Sequence, residues 1–314
     1  MIVTVTANPS LDRTVEVDRL RRGEVQRALT TSVDAGGKGV NVSRALVAHG
    51  YPTRAVLCSG GFAGLELLAL LRETGVPLRE VPVTGGTRSN LTLVEPEGTV
   101  TKLNEPGPGL SESEVDAVLA AALEAIGGEA DWVAGCGSLP PGMPVDVYAR
   151  LTARAHELGA RVAVDTSGAA LDACLSAGPD LVKPNLDELA ACAGAEIRTL
   201  GDAVKAAQVL RDRGAGAVLA SLGPDGAILL DRTGARHASA RPAGSVVSTV
   251  GAGDATLAGF LAAGGAGERA LRAAVCWGTA AVTLPGSSMP APDHLDRVTA
   301  EVQRSIDPDR VLTK

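Results

Sequence analysis

A chain of 314 residues with 45% hydrophobic side chains can bury a large core without disulfides or a structural metal. A formal net charge of -7 leaves no basic footprint, and 2% aromatic residues leave few platforms for stacking bases, so nucleic acid and anionic membranes are excluded as expected partners. Cys58, Cys136, Cys174, Cys192 and Cys276 form no Cys-x-x-Cys pair and no cluster with histidine at metal-ligand spacing. With neither a signal-peptide start nor an apolar run of membrane length, they point to a soluble protein of the reducing cytoplasm.

The first β-rich run, Ile2 to Thr6, ends at Asn8-Pro9 and is followed by Ser10-Leu11-Asp12. Asp12 therefore lies just past a strand, where it either grips ligand hydroxyls or forms a turn. Residues 14–33 break the strand and helix rhythm and read as strands joined by turns. Next, Ala35-Gly36-Gly37-Lys38-Gly39-Val40-Asn41 opens a helix that continues to His49, with Lys38 and Asn41 able to reach a polar ligand. This is not a Walker A loop, because Gly39 rather than Ser or Thr follows Lys38. Neither this glycine run nor the later one completes G-x-G-x-x-G between strand and helix, which makes a dehydrogenase a weak alternative.

A strand at Arg54 to Cys58 and a helix at Leu65 to Glu73 follow, then a second irregular stretch at 87–103 that carries Arg88. We read 14–33 and 87–103 as one small β-sheet projecting from the main unit: either a lid over the strand ends, on which Arg88 would grasp a phosphate, or a pair of ordinary edge hairpins. Ser111-x-x-Glu114 is a capping box that starts a helix over Glu112 to Ile126. Strands at Trp132 to Gly135, Arg161 to Asp165, Leu181 to Lys183 and Ala217 to Ser221 alternate with helices at Val145 to Leu158 and Asp202 to Asp212. That alternation predicts an α/β fold, a parallel sheet covered on both faces, with no repeat or linker to divide the chain.

After the strand ending at Lys183, Asn185 and Glu188 either hold a hydrated Mg²⁺ or cap a helix. Ser221-Leu222-Gly223-Pro224-Asp225-Gly226 is either a plain turn leading to a hairpin or part of a nucleotide rim. Ser248-Thr249-Val250-Gly251-Ala252-Gly253-Asp254 precedes a buried helix over Ala255 to Leu261. Three small residues there would let backbone N–H groups converge on an anion, and Asp254 would accept a proton from a hydroxyl aimed at it. A glycine-rich turn with a capping Asp would look the same.

Taken in order from Asn8 to about Gly286, these motifs resemble the ribokinase-like sugar kinase superfamily, often called the PfkB family. The resemblance implies a three-layer α/β/α unit with a mostly parallel central sheet and a small β-sheet lid. It implies that Gly251, Ala252 and Gly253 form the anion hole for a transferred phosphoryl group and that Asp254 is the base. Asn8-Pro9-Ser10-Leu11-Asp12, Gly36 to Asn41, Thr87-Arg88, Gly137 to Gly142 and Ser248 to Asp254 are similar to the branch acting on sugar phosphates. Asp12, Gly37, Lys38, Asn41, Arg88 and Ser138 are then expected at the sugar phosphate. Lys183, Asn185, Ser221, Gly223 and Gly226 are expected around ATP, with Glu188 near Mg²⁺ through water. By resemblance, Lys38 is what fructose-1-phosphate and tagatose-6-phosphate enzymes tend to carry, which lowers the fructose 6-phosphate reading. Apart from Arg22 and Gln26, Arg22-Gly23-Glu24-Val25-Gln26-Arg27 is similar to a segment typical of fructose-1-phosphate kinases, so fructose 1-phosphate is favoured. Cys136 stands where this branch usually has Ser. By the same resemblance the lid serves a homodimer. A kinase for an uncharged acceptor, such as a nucleoside or vitamin, and a non-catalytic sugar-phosphate-binding protein are the other readings; the pairing of Lys38 with Arg88 argues against the first and the intact Gly251 to Asp254 run against the second.

Overall fold

Strand and helix alternate along most of the chain, as their hydrophobic periods predict, in a computed structural model that describes residues 1–96, 98–127 and 130–313. The first half contains β1 (Ile2–Thr6), β2 (Ser10–Glu16), β3 (Thr30–Gly36), α1 (Lys38–Ala48), β4 (Thr53–Ser59), α2 (Gly61–Glu73), β5 (Leu78–Pro82), β6 (Arg88–Val94), β7 (Val100–Asn104) and α3 (Glu112–Ile126). After it come β8 (Trp132–Cys136), α4 (Val147–Glu157), β9 (Arg161–Asp165), α5 (Gly168–Leu175), β10 (Leu181–Val182), α6 (Leu186–Ala193), α7 (Leu200–Asp212) and β11 (Val218–Ser221). The remainder is β12 (Ala227–Asp231), β13 (Gly234–Ser239), α8 (Ala252–Ala262), α9 (Gly267–Ala281), α10 (Pro292–Leu295) and β14 (Glu301–Gln303).

Ten strands form one sheet in the order β14-β13-β12-β11-β10-β9-β8-β1-β4-β5. From β5 to β11 every pairing is parallel, and β12, β13 and β14 extend the edge antiparallel. Period-2 alternation sends neighbouring residues of β1 to opposite faces. Val3 and Val5 pack with Val115 and Val118 of α3 and Val147 and Leu151 of α4, whereas Ile2 packs with Val42 and Leu46 of α1, Leu257 of α8 and Leu271 of α9. The result is the expected three-layer α/β/α arrangement. The capping box at Ser111 forms as read: its hydroxyl accepts from Glu114 N, and Glu114 accepts from Ser111 N at 2.7 Å.

The two irregular stretches pair into a second sheet of order β3-β2-β6-β7, whose inner face places Leu11 and Ala35 on Val40, Leu57, Leu67, Leu68 and Leu71. This sheet begins earlier and ends later than the sequence suggested, because β2 starts at Ser10 and β3 runs to Gly36. Asp12 is therefore a strand residue, opposite Asp34 on one side and Asn90 on the other, rather than part of a turn. No helix among the described residues is long and apolar enough to cross a membrane.

Candidate active site

The parallel strands all end on one side of the large sheet, and the helices α1 and α8 start there, so polar residues just past the strands meet two helix N-termini. Open α/β sheets bind ligands at such an edge, where neighbouring connections part to opposite faces; here the parting lies between β1 and β8. Asp165 is the last residue of β9, Lys183 follows β10, Ser138 follows β8 and Asn8 follows β1.

Gly251 takes the N-cap position of α8 with φ 78, a left-handed conformation that a side chain would strain. The first full-turn bond, Ala255 N to Gly251 O at 2.9 Å, leaves the amides of Gly253 and Asp254 ahead of it without an intrahelical partner. Asp254 is only 7% exposed. Burial, reinforced by the nearby Asp165 carboxylate, raises its pKa from the ordinary carboxylate range to about 7. Asn41 Nδ2 donates to its Oδ2 at 2.8 Å and partly counters that rise.

Behind Asp254 lies a charge network that no local motif announces. Asp165, with no exposed surface, receives Lys38 Nζ on Oδ1 at 2.7 Å and has Lys183 Nζ 2.9 Å from Oδ2. Burial opposes the Asp165 charge, but Lys183 and Lys38 outweigh it and its pKa falls. Burial likewise opposes the Lys38 charge, and Asp165 with Glu188, at 3.5 Å, carries the net shift upward. Lys183 is itself 3% exposed, and its ammonium lies 3.3 Å from where a Cβ on Gly253 would stand. The expected nucleotide lysine thus sits under the glycine turn, close to Asp254.

Across the cleft, β2 and β6 of the small sheet bring Asp12 and Arg88 together. Asp12 Oδ1 accepts from Ser10 Oγ at 2.7 Å and from Asn90 Nδ2 at 2.9 Å. Gly36 makes this possible, since a Cβ there would collide with the Asp12 carboxylate. Arg88 Nη1 donates to Glu105 O at 3.1 Å, while its buried Nε and the buried Oδ1 atoms of Asn90 and Asn8 lack partners. Unsatisfied buried groups of this kind cost about 1–3 kcal/mol each unless a ligand meets them. Ser138 Oγ accepts from Asn8 Nδ2 at 3.3 Å at the rim.

Asn185 and Glu188 form the capping box of α6, with Asn185 N to Glu188 Oε2 at 2.9 Å, yet Glu188 Oε1 still faces Lys38. The capping reading of that pair therefore holds. Ser221 bridges Asn185, which joins the two groups of nucleotide candidates into one rim beside Gly223. Gly226 turns away from it and packs on the Ala238 carbonyl of β13, so its lack of a side chain serves the turn. Cys136 is fully buried beneath α1, and burial holds its thiol protonated, so it is no part of the cleft wall. Asp165, Ser10, Asn90 and Arg44 are the polar residues here that the sequence did not single out.

The family described as pfkB family carbohydrate kinase matches residues 5–294. A 1-phosphofructokinase of Rhodobacter capsulatus is 39% identical over 304 residues, 94% of each chain. An ATP-dependent 6-phosphofructokinase isozyme 2 of Mycobacterium tuberculosis is 35% identical over 301 residues, 94% of this chain and 88% of that one. Among solved structures, phosphofructokinase-2 from Escherichia coli in complex with potassium superposes with a TM-score of 0.87 at 34% identity, covering 94% of this chain and 96% of that one.

Proposed function

Because this chain belongs to the pfkB family of carbohydrate kinases, and so is a phosphotransferase with an alcohol acceptor, we propose that it moves the γ-phosphoryl group of ATP to a hydroxyl of fructose 1-phosphate, giving fructose 1,6-bisphosphate. The observation that carries this reading is a buried carboxylate, Asp254, at the amide-rich start of α8, with a cation, Arg88, on the small sheet.

The sugar phosphate lies between the two sheets. Arg88 takes its phosphate through the donors left open, Asp12 takes sugar hydroxyls through Oδ2, and Ser138, Gly37, Asn41 and Lys38 complete the wall. ATP lies along Lys183, Asn185, Ser221 and Gly223, with Gly226 shaping the turn behind them. The acceptor hydroxyl gives its proton to Asp254 as its oxygen bonds to the γ-phosphorus in line; the bond from phosphorus to the bridging oxygen breaks, and ADP leaves with that electron pair. Amides of Gly251 and Gly253 face the charge that gathers on the equatorial oxygens, while that of Ala252 is held by Thr249 O at 3.4 Å.

The donors suit Mg²⁺ carried on ATP rather than in a protein cage. Among the described residues no three His, Cys, Asp or Glu side chains converge, and Glu188 keeps one oxygen turned into the cleft, as a contact through water requires. When bound, Mg²⁺ supplies charge neutralisation at the phosphates. Fructose 1-phosphate is preferred over fructose 6-phosphate because the relative named for it is the more similar of the two compared above, at 39% against 35%.

ADP release across fructose 1-phosphate, tagatose 6-phosphate, fructose 6-phosphate and unphosphorylated sugars tests the assignment, the expected result being the highest kcat/KM for fructose 1-phosphate. Arg88→Ala should raise KM for that substrate roughly tenfold to a hundredfold, the loss of one charge-assisted contact, with KM for ATP nearly unchanged. A primary defect in ATP binding would remove Arg88 from the sugar side.

Val25, Leu29, Val100 and Leu103, all exposed apolar residues, belong to the small sheet and its loop, which supports a homodimer through that sheet. Light scattering should return twice the mass of 31.6 kDa; a monomer at assay concentration would reject it. The five cysteines are all free, in keeping with the cytoplasm.

A further inference from the structure

Arg44 lies one turn after Asn41 on α1, and its Nη1 meets three oxygens: Asn41 Oδ1 at 3.2 Å, Ala35 O of β3 at 3.3 Å, and Ser287 O of the turn beyond α9 at 3.4 Å. A guanidinium has donors only, whereas the two ends of a carboxamide share a shape and differ in chemistry. Facing Arg44, the Asn41 amide must present its oxygen. Its NH₂ then has one direction left, toward Asp254, where it donates at 2.8 Å. Turned the other way, the amide oxygen would oppose the carboxylate and leave Arg44 facing a donor.

Arg44 is itself fixed from the small sheet. Asp12 and Asp34 stand opposite each other across β2 and β3, a like-charged pair that is unfavourable without a cation between. Burial lowers the Arg44 pKa, while Asp34 and Asp12 oppose that shift and hold the cation. We propose that Arg44 is a positioning residue for the catalytic base: it sets the orientation of the Asn41 carboxamide, and through it the hydrogen bond to Asp254, and it ties both to β3 of the small sheet. The inference rests on Asp254 being the base.

The groups that bear on Asp254 are Asp165 from β9, Lys38 and Asn41 from α1, and Lys183 after β10; those that bear on Arg44 are Asp34 and Asp12. Donation from Asn41 favours ionised Asp254, so losing that orientation raises the pH at which the base becomes competent. The test is the acid limb of kcat/KM for fructose 1-phosphate and ATP, compared between wild type and variants so that titration of the substrates cancels. Arg44→Met should move the limb up by about one pH unit, which is about tenfold in rate on its slope, with most activity regained above it. Arg44→Lys, which still donates, should restore the wild-type limb. In an Asn41→Ala background, Arg44→Met should add no further shift.

If Arg44→Met does not fold, Arg44→Gln replaces it with the same expectation, because a second amide offers an acceptor as well as a donor and no longer dictates Asn41. An unmoved limb in the folded variant, or a full further shift in the Asn41→Ala background, overturns the proposal. Failure of the base assignment shows differently, as an acid limb that persists in Asp254→Asn.

Discussion

Asp254→Asn is expected to lower kcat by roughly two to four decades, the usual worth of a positioned general base, while the protein remains at least as stable as wild type. The two halves of this result have one cause. In the fold, burial and the neighbouring Asp165 hold the Asp254 pKa near 7 instead of near the ordinary 3.8. Between those values the native state binds more protons than the unfolded chain, so this group's contribution to stability declines as pH rises through that window and is fully unfavourable above about 7. An amide of the same shape removes that cost and still accepts the hydrogen bond from Asn41. At pH 8 the melting temperature should therefore be unchanged or higher.

As the proposed base, the same carboxyl should set the pH dependence of catalysis. Only its ionised form accepts a proton, so wild-type kcat/KM should rise about tenfold per pH unit below about 7 and level off above it. That limb should vanish in the asparagine variant. Near-wild-type kcat in Asp254→Asn would refute the role, and a fall in melting temperature at pH 8 would refute the account of why the group is poised.

How far the sequence carried the argument depended on whether a feature was local. Strands β1 and β9 and helix α3 have the bounds read from the sequence, since alternation, a closing Asp and a capping box are written within each segment. The small sheet was legible as two breaks in rhythm, but its inner ends were not. Ser10 to Asp12 and Asp34 to Gly36 look like turn residues until β2 and β3 pair across them. β5 carries Arg79, Glu80 and Pro82 and lies at the edge of the large sheet, where such residues are tolerated but blur the strand signal. Helices α5 and α6, at 8 residues each, are too short to show a clear period.

In the candidate site, Asp254, Lys38 and Arg88 stood out in the sequence because glycine runs or neighbouring motifs frame them. Asp165 has no frame: Val164-Asp165-Thr166 reads as a strand end, and its meaning comes only from two lysines, one 127 residues before it in the chain. Arg44 looks like any helical arginine. Its importance comes from the loops and strands that α1 faces.

Asp165 also underlies the largest stability effect expected for the protein. In the resting fold this carboxylate, with no exposed surface, stands between the ammonium groups of Lys38 and Lys183. Breaking a buried pair by removing one partner costs about 3–5 kcal/mol, because the remaining charge is left without compensation in a poorly polarisable setting. Lys38 is 35% exposed and can turn to Glu188 or to water, whereas Lys183, at 3%, has neither escape. Asp165→Ala should therefore lower Tm by about 5–8 °C, given the unfolding entropy of a chain this long.

The sign of its pH dependence separates this cause from a simple cavity. In wild type the depressed Asp165 pKa gives stability that is present above the ordinary carboxylate pKa and lost as pH falls through the folded one. In Asp165→Ala that acid-side loss is absent, because the group that titrates is gone. The Tm gap to wild type should thus narrow as pH falls below the ordinary carboxylate range. Adding Lys183→Met should return most of the lost Tm, since an apolar side chain of similar length needs no counterion. A gap that is constant with pH, or a double variant no more stable than Asp165→Ala, would mean that Asp165 matters for packing and not for charge.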